Sequence, residues 1–360
     1  MTRRERFCRL YDFEQVDRPT RWEAVAFWQQ TIDAWKASGG LPADADVVAY
    51  YGFEPRPQVP GGPGFTSMAI SGPPIRHRVV EDDGATQVLE DDLGKVWRVR
   101  TDGRESMPQW IKFPVECDED WLRKIKPRLD PADHDYADFE QTAHLYRDNE
   151  DPNGLYLVGL YAFWRNFWGE ERLAYAFYDH PGTLRDMART WLAMHCECSP
   201  RIFKAARVDY VCFHEDMAFK NGPLIGPRLF DEFMAPYYRE LFSHLRENGQ
   251  HRFMLDSDGN NGLVLERFIG LGMNGLFPFE AAAGCDVVGF RRAHPRFFIW
   301  GGVDKRALLK TKEDVKREVM EKVPLLWESG GFIPSIDHAV PPCPQENFEY
   351  FLELTRGVCV

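Results

Sequence analysis

Residues 208–217, VDYVCFHEDM, and 251–260, HRFMLDSDGN, are two short apolar runs that each end in acids, and between them lies the amphipathic stretch GPRLFDEFMAPYYRELFSHLRENG, 226–249. Two strands separated by a helix form a parallel pair, because parallel neighbours need a long crossover and a helix supplies it. The alternation continues in both directions. Further apolar runs are LYLVGLYAFW (155–164), NGLFPFEAAAG (274–284), RFFIWGGVDK (296–305) and GGFIPSIDHAV (330–340), and further helical stretches are 182–206 and 311–330. Six such units, with an early strand around PTRWEAVAFW (19–28), approach the count of a (β/α)8 TIM barrel. The rival, an open doubly wound sheet, usually carries a glycine-rich phosphate loop, and neither G-x-G-x-x-G nor G-x-x-x-x-G-K-[ST] occurs. The expectation is one barrel domain over residues 1–360 with an irregular and hairpin elaboration at about 50–115. Within it, 53–75 is dense in Pro and Gly and reads as a long excursion, while 75–103 alternates apolar and polar residues around Asp-Gly turns, as a small antiparallel meander does.

Composition narrows the function classes. The 360 residues carry 44 Lys plus Arg against 56 Asp plus Glu, a net charge of −12. That balance argues against a phosphate-tracking nucleic-acid protein, though not against a small anion held locally. No apolar run reaches the roughly 18 residues of a membrane span, and MTRRERFCRLYDFEQVDR lacks a signal peptide's apolar core, so a cytoplasmic location is expected. The eight cysteines are scattered, which suits a reducing compartment without structural disulfides.

The polar residues gather at the strand ends: Glu23, Asn166, Glu215-Asp216, Asp256-Ser257-Asp258, Glu280, Asp304 and Asp337-His338. In a parallel barrel these ends converge on the face where chemistry is found. Helix capping by Asp, Ser and Asn is the plainer explanation for any single one, and Asp258-Gly259-Asn260 is good turn chemistry. Capping does not account for Glu215 and Asp216 together. If the strand persists, Asp256 and Asp258 share a face, with Ser257 opposite. Carboxylates facing one cavity either retain a proton or need a cation: a metal, Lys220, Lys305, Arg165 or a positively charged substrate. His338 is a candidate acid or base beside Asp337. The run His195, Cys196, Cys198 looks like a metal box but has helical periodicity, and residues two apart on a helix diverge. Tyr161, Phe163, Trp164, Phe167 and Trp168 form an aromatic cluster suited to a flat ligand or to core.

The chain resembles the uroporphyrinogen decarboxylase superfamily, which includes corrinoid-linked methyltransferases. The resemblance rests on R-E-R-F (4–7) with V-D-R-P (16–19), the segment 215–238 beginning E-D-M-A-F-K-N-G-P, D-S-D-G-N (256–260), P-F-E-A-A-A-G-C-D (278–286), G-G-V-D-K (301–305) and I-D-H-A-V-P-P-C-P-Q-E-N (336–347). It implies a (β/α)8 barrel. The decarboxylases hold carboxylates partly through an arginine-rich segment after the first strand, where this chain has Ala26-Phe27-Trp28-Gln29-Gln30; their late histidine is matched by His338. The methyltransferases bind zinc through His-x-Cys and a distant Cys, positions filled here by Asp256, Asp258 and Asp337. Three carboxylates make a harder site, suited to Mg²⁺ or Mn²⁺, to zinc with oxygen ligands, or to no metal.

The first expectation is therefore a methyltransferase-like enzyme acting on a small methylated substrate or a corrinoid partner protein. Asp256, Asp258 and Asp337 form its metal set, His338, Asp258 and Glu215 its catalytic set, and Glu23, Lys220, Glu280, Trp164 and Arg165 its substrate contacts. The alternatives are decarboxylation of uroporphyrinogen or another acetate-bearing ring, disfavoured by the acidic mouth, and a non-catalytic ligand-binding barrel. Family members are often homodimers.

Overall fold

The apolar runs become parallel strands. In chain order the strands are β1 (His77–Asp82), β2 (Thr86–Asp91), β3 (Val96–Arg100), β4 (Gln109–Lys112), β5 (Gly154–Val158), β6 (Tyr210–His214), the short pair β7 (Ala218–Phe219) and β8 (Gly222–Pro223), β9 (Phe253–Asp256), β10 (Gly275–Phe279), β11 (Phe298–Val303) and β12 (Phe332–Ile336). The computed structural model describes residues 1–60, 75–102, 107–133 and 136–359. β5, β6, β9, β10, β11 and β12 lie side by side in that order, every neighbouring pair parallel.

Two extended segments complete the wall between β12 and β5. On one side Ile336 N donates to Glu23 O (2.9 Å) and Val340 N to Ala26 O (2.9 Å). On the other, Val59 N donates to Gly154 O (2.8 Å) and Gly154 N to Pro57 O (3.0 Å). The segments meet where Glu54 N donates to Arg21 O (3.1 Å). These staves bring the wall to eight, and the fold is a (β/α)8 barrel. The pairing of the second segment is sparse because Pro55, Pro57 and Pro60 have no N–H to give a ladder.

Alternation along each strand sorts residues into the barrel interior and the helix-facing shell. Trp22, Tyr210, Cys212, Met254, Phe277, Phe298, Trp300 and Ile333 form one buried interior cluster with Phe7, Leu10 and Tyr11. Those last three belong to α1 (Arg3–Tyr11), whose apolar face plugs the base: Phe7 lies 4.9 Å from Tyr210 and Tyr11 stacks on Phe298 at 4.1 Å, ring to ring. The other parity, including Val211, Phe213 and Leu255, packs outward into the main core. That shell holds α2 (Leu160–Trp168), α3 (Pro181–Ala205), α4 (Ala235–Glu247), α5 (Lys312–Glu328) and α6 (Gln345–Val358).

One strand reading is corrected. The run 155–164 splits at Gly159: β5 ends at Val158, and α2 begins at Leu160. Trp164, Arg165 and Asn166 are therefore helical and do not close a strand. The split is enforced from outside the segment, since Glu215 accepts the first-turn N–H groups of Leu160 and Ala162, both at 3.0 Å. The meander is present as the antiparallel sheet β1-β2-β3-β4, turning at Gly84 with φ +83°. Of the Pro/Gly-rich excursion, residues 61–74 lie outside the described residues, as do 103–106. Among the described residues no helix is long and apolar enough to cross a membrane.

Candidate active site at the barrel mouth

Extending the interior parity past the strand ends puts polar groups above the aromatic floor. After Tyr210 and Cys212 on β6 comes His214; after Met254 on β9 comes Asp256. His214 Nδ1 lies 3.1 Å from Asp256 Oδ2, and its Nε2 lies 3.4 Å from Asp216 Oδ2. Asp216 holds a left-handed conformation, φ +44°, uncommon for a residue with a side chain, and strain of this kind concentrates at functional sites. Arg165 anchors it by donating from Nη1 to the Asp216 carbonyl at 2.5 Å. Ligand atoms of His214, Asp216 and Asp256 all fall within 4.8 Å of one another.

A second couple stands beside this group. His338 Nε2 is 3.1 Å from Asp258 Oδ2. Glu280 pairs with Lys305 at 3.1 Å and accepts Gly259 N at 2.7 Å. Gly259 sits at φ +79°, and a Cβ there would meet the Ala218 carbonyl oxygen at 2.6 Å, so the D-S-D-G-N turn needs glycine at this position. Ser257 points away from the mouth, to Asn261 Oδ1 at 2.8 Å, which agrees with the alternation expected for Asp256 and Asp258.

Burial and pairing set the protonation states. Burial pulls the His214 imidazole down, but the hydrogen bond to Asp256 and the charges of Asp256 and Asp216 outweigh it, so it titrates above its ordinary value. Asp256 is pushed up by burial despite His214. Burial also raises Asp258, yet the bond to His338 and the charges of His338 and Lys305 bring it below the usual carboxylate range. The bond to Asp258 raises His338 against the effect of burial. Positive charge for these carboxylates thus comes first from the protein's own side chains.

The structure distributes the three aspartates expected to form one ligand set. Asp337 is buried, and its two oxygens accept Ala282 N (2.6 Å) and Lys305 N (3.1 Å), tying the loops after β10 and β11 to the end of β12. Burial raises its carboxyl to about 6. Among the described residues, the carboxylates of Asp258 and Asp337 do not join Asp256 in a ligand cluster; His214 and Asp216 do.

Other expectations are corrected by parity. Glu215 faces the shell: fully buried, it accepts Leu160 N, Ala162 N and the Tyr238 hydroxyl, and burial raises it to about 7. Glu23 also points outward, to Arg356 Nε of α6 at 2.8 Å. Trp164 is fully buried core, donating from Nε1 to Leu184 O at 3.1 Å. Asp304 caps the turn that follows it by accepting Arg306 N at 2.9 Å. Lys220 lies exposed between β7 and β8, at the rim, where Asn260 N donates to Phe219 O at 3.0 Å. Arg165 and Glu280 remain at the mouth. His195 is buried in α3 against the Val158 carbonyl at 3.0 Å, as its helical spacing requires. Asp216, singled out at its strand end but given no role, joins the site, and His214 was not among the expected residues, although the alternation Tyr210, Cys212, His214 already puts the histidine on the interior face.

Comparison with known proteins agrees with this architecture. Residues 172–358, a little over half of the chain, match the family model described as uroporphyrinogen decarboxylase (URO-D). A curated relative, "Uroporphyrinogen decarboxylase 2, chloroplastic" of Oryza sativa subsp. japonica, is 26% identical over 137 residues, 37% of this chain and 34% of that protein, so the match spans about a third of the relative's length. A solved methyltransferase from Methanosarcina mazei superposes with a TM-score of 0.56 at 14% identity, covering 99% of this chain and 98% of that one. That likeness is one of fold.

Proposed function

Because this chain belongs to the uroporphyrinogen decarboxylase family, we propose that it is a methyltransferase-like member acting on a small methylated substrate at the barrel mouth. The reading rests on the convergence of His214, Asp216 and Asp256 within 4.8 Å. One imidazole and two carboxylates are a donor set for Mg²⁺, Mn²⁺ or oxygen-ligated zinc, and they do not fit the thiolate–zinc centre implied by the family's methyltransferases. A divalent ion held there would supply Lewis-acid charge to a substrate heteroatom. His214, Asp216 (fixed through its backbone by Arg165) and Asp256 (at the end of β9) would hold it. His338 holds or releases a proton at Nε2 against Asp258, whose carboxylate favours the protonated ring. Lys305 and Glu280 neutralise each other and brace the turn that carries Asp258. A corrinoid protein as methyl partner and a homodimeric assembly belong to the same reading.

The His338–Asp258 couple favours a second reading, decarboxylation of an acetate-bearing ring, because it is a charge-balanced acid–base pair that needs no metal. Elemental analysis of wild type, His214→Ala, Asp256→Ala and Asp258→Asn after supply of zinc, manganese or magnesium is the test, paired with corrinoid-linked demethylation and uroporphyrinogen assays. Stoichiometric metal lost in the first two variants and kept in the third supports the primary reading. Metal-free protein that converts uroporphyrinogen to coproporphyrinogen replaces it with the second.

A further inference from the structure

His338 stands on the short stretch that follows β12, between two backbone bonds to different neighbours: Asp337 N donates to Val303 O (2.9 Å) and Val340 N to Ala26 O (2.9 Å). The place of its imidazole against Asp258 therefore depends on the side-chain contacts around it. Those contacts close on themselves. Asp337, the residue before it, accepts Ala282 N on Oδ2 (2.6 Å) and Lys305 N on Oδ1 (3.1 Å). Lys305 Nζ reaches Glu280 Oε1 at 3.1 Å, and Glu280 Oε2 accepts Gly259 N at 2.7 Å. Asp258, next in the chain, meets His338 Nε2 at 3.1 Å. The circuit joins the ends of β9, β10, β11 and β12 and returns to its starting point.

The arrangement at Asp337 calls for a carboxylate. Two N–H donors from different loops converge on one side chain, and a carboxylate offers each of them an acceptor oxygen. An amide would turn its own NH2 towards one of them. Burying that carboxylate costs free energy and raises its affinity for a proton, yet both of its hydrogen-bond partners are backbone N–H groups. The charges that set His338 come from Asp258, Lys305 and Glu280, and all three belong to the circuit.

From this closed circuit we infer that Asp337 is a positioning residue for the acid–base couple: by holding the loops after β10 and β11, it keeps His338 and Asp258 within hydrogen-bond reach. The inference rests on the reading of His338 as the proton carrier of the mouth, but not on the reaction or on a bound metal. It gives a part in the site to an acid whose side chain bonds neither the couple nor the cluster of His214, Asp216 and Asp256.

NMR titration of the His338 ring in the metal-free full chain tests the inference, with Asp337→Asn, Asp258→Asn and the double variant. Folded Asp337→Asn is expected to lower the His338 value, as Asp258→Asn does, although neither member of the couple has changed. The double variant is expected to match Asp258→Asn alone, because a positioning residue then has nothing left to position. A role confined to stability would leave the ring's titration unmoved. Movement in Asp258→Asn but not in folded Asp337→Asn overturns the inference and leaves the couple standing. So does an equal effect of Asp337→Asn in both backgrounds, which is the direct result of removing a charge. An unmoved ring in Asp258→Asn removes the couple and the inference with it. No turnover enters the readout, so failure of the proposed methyl transfer leaves this test intact. Where Asp337→Asn does not fold, hydrogen exchange of wild type decides. The Ala282 and Lys305 amides are expected to exchange about tenfold or more slowly than exposed loop amides, and equal rates overturn the inference.

Discussion

His338 Nε2 and Asp258 Oδ2 lie 3.1 Å apart although 80 positions separate them, which joins the end of β12 to the turn after β9 across the barrel mouth. The carboxylate favours the imidazolium, so His338 titrates high and Asp258 low. Asp258→Asn removes that preference, and the His338 value should move downward. Following its ring protons by NMR through a pH titration of metal-free protein checks the direction; an unmoved value would mean that the pair does not form in solution.

Buried His195 should make the protein acid-sensitive. Burial drives its imidazole down to about 3, whereas the unfolded chain titrates near 6.5. Below pH 6.5 the unfolded state binds the extra proton, so stability falls with pH at about 1.4 kcal/mol per unit until the folded value is reached. Urea unfolding at stepped pH reads this slope, and His195→Gln should flatten it.

Glu215 closes the start of α2 from across the sheet. Glu215→Ala leaves the N–H groups of Leu160 and Ala162 and the Tyr238 hydroxyl without their acceptor. Each buried unpaired donor costs about 1–3 kcal/mol, so a loss of roughly 3 kcal/mol or more is expected, with Glu215→Gln milder because it retains an acceptor oxygen. Thermal unfolding ranks the two. Divalent metal uptake by folded Glu215→Gln should match wild type, which distinguishes this acid from its neighbours His214 and Asp216.

The outward-facing ion pair Glu23–Arg356 should contribute to stability and not to binding. Arg356→Met strands the Glu23 carboxylate, only 2% exposed, at a cost of about 3–5 kcal/mol. Replacing both residues with apolar ones should recover much of that loss. Chemical denaturation of the single and double variants completes the cycle, and divalent metal uptake should stay unchanged in the double variant.

The barrel was legible because its strands are continuous apolar runs spaced by amphipathic helices, a signal carried by neighbours in sequence. The Gly84 turn and the alternating meander were legible for the same reason. One stave falls within the early strand expected at 19–28, whereas the other was hidden, since Pro55, Pro57 and Pro60 erase the strand signature while residues 54–59 still pair across the wall. The run 155–164 misled because its helix start is dictated by Glu215, more than 50 positions away.

The sequence alone determined which residue types collect at strand ends, because alternation and strand length are local properties. Tertiary structure decided what each acid does. Glu23 and Glu215 share the composition of site residues, yet parity and a distant partner turn them into the shell, while His214 is delivered to the mouth by the strand beneath it. Whether a carboxylate meets a histidine, a backbone N–H or an open cavity depends on which strands become neighbours when the sheet closes, and that adjacency is a property of the closed barrel that no single segment encodes.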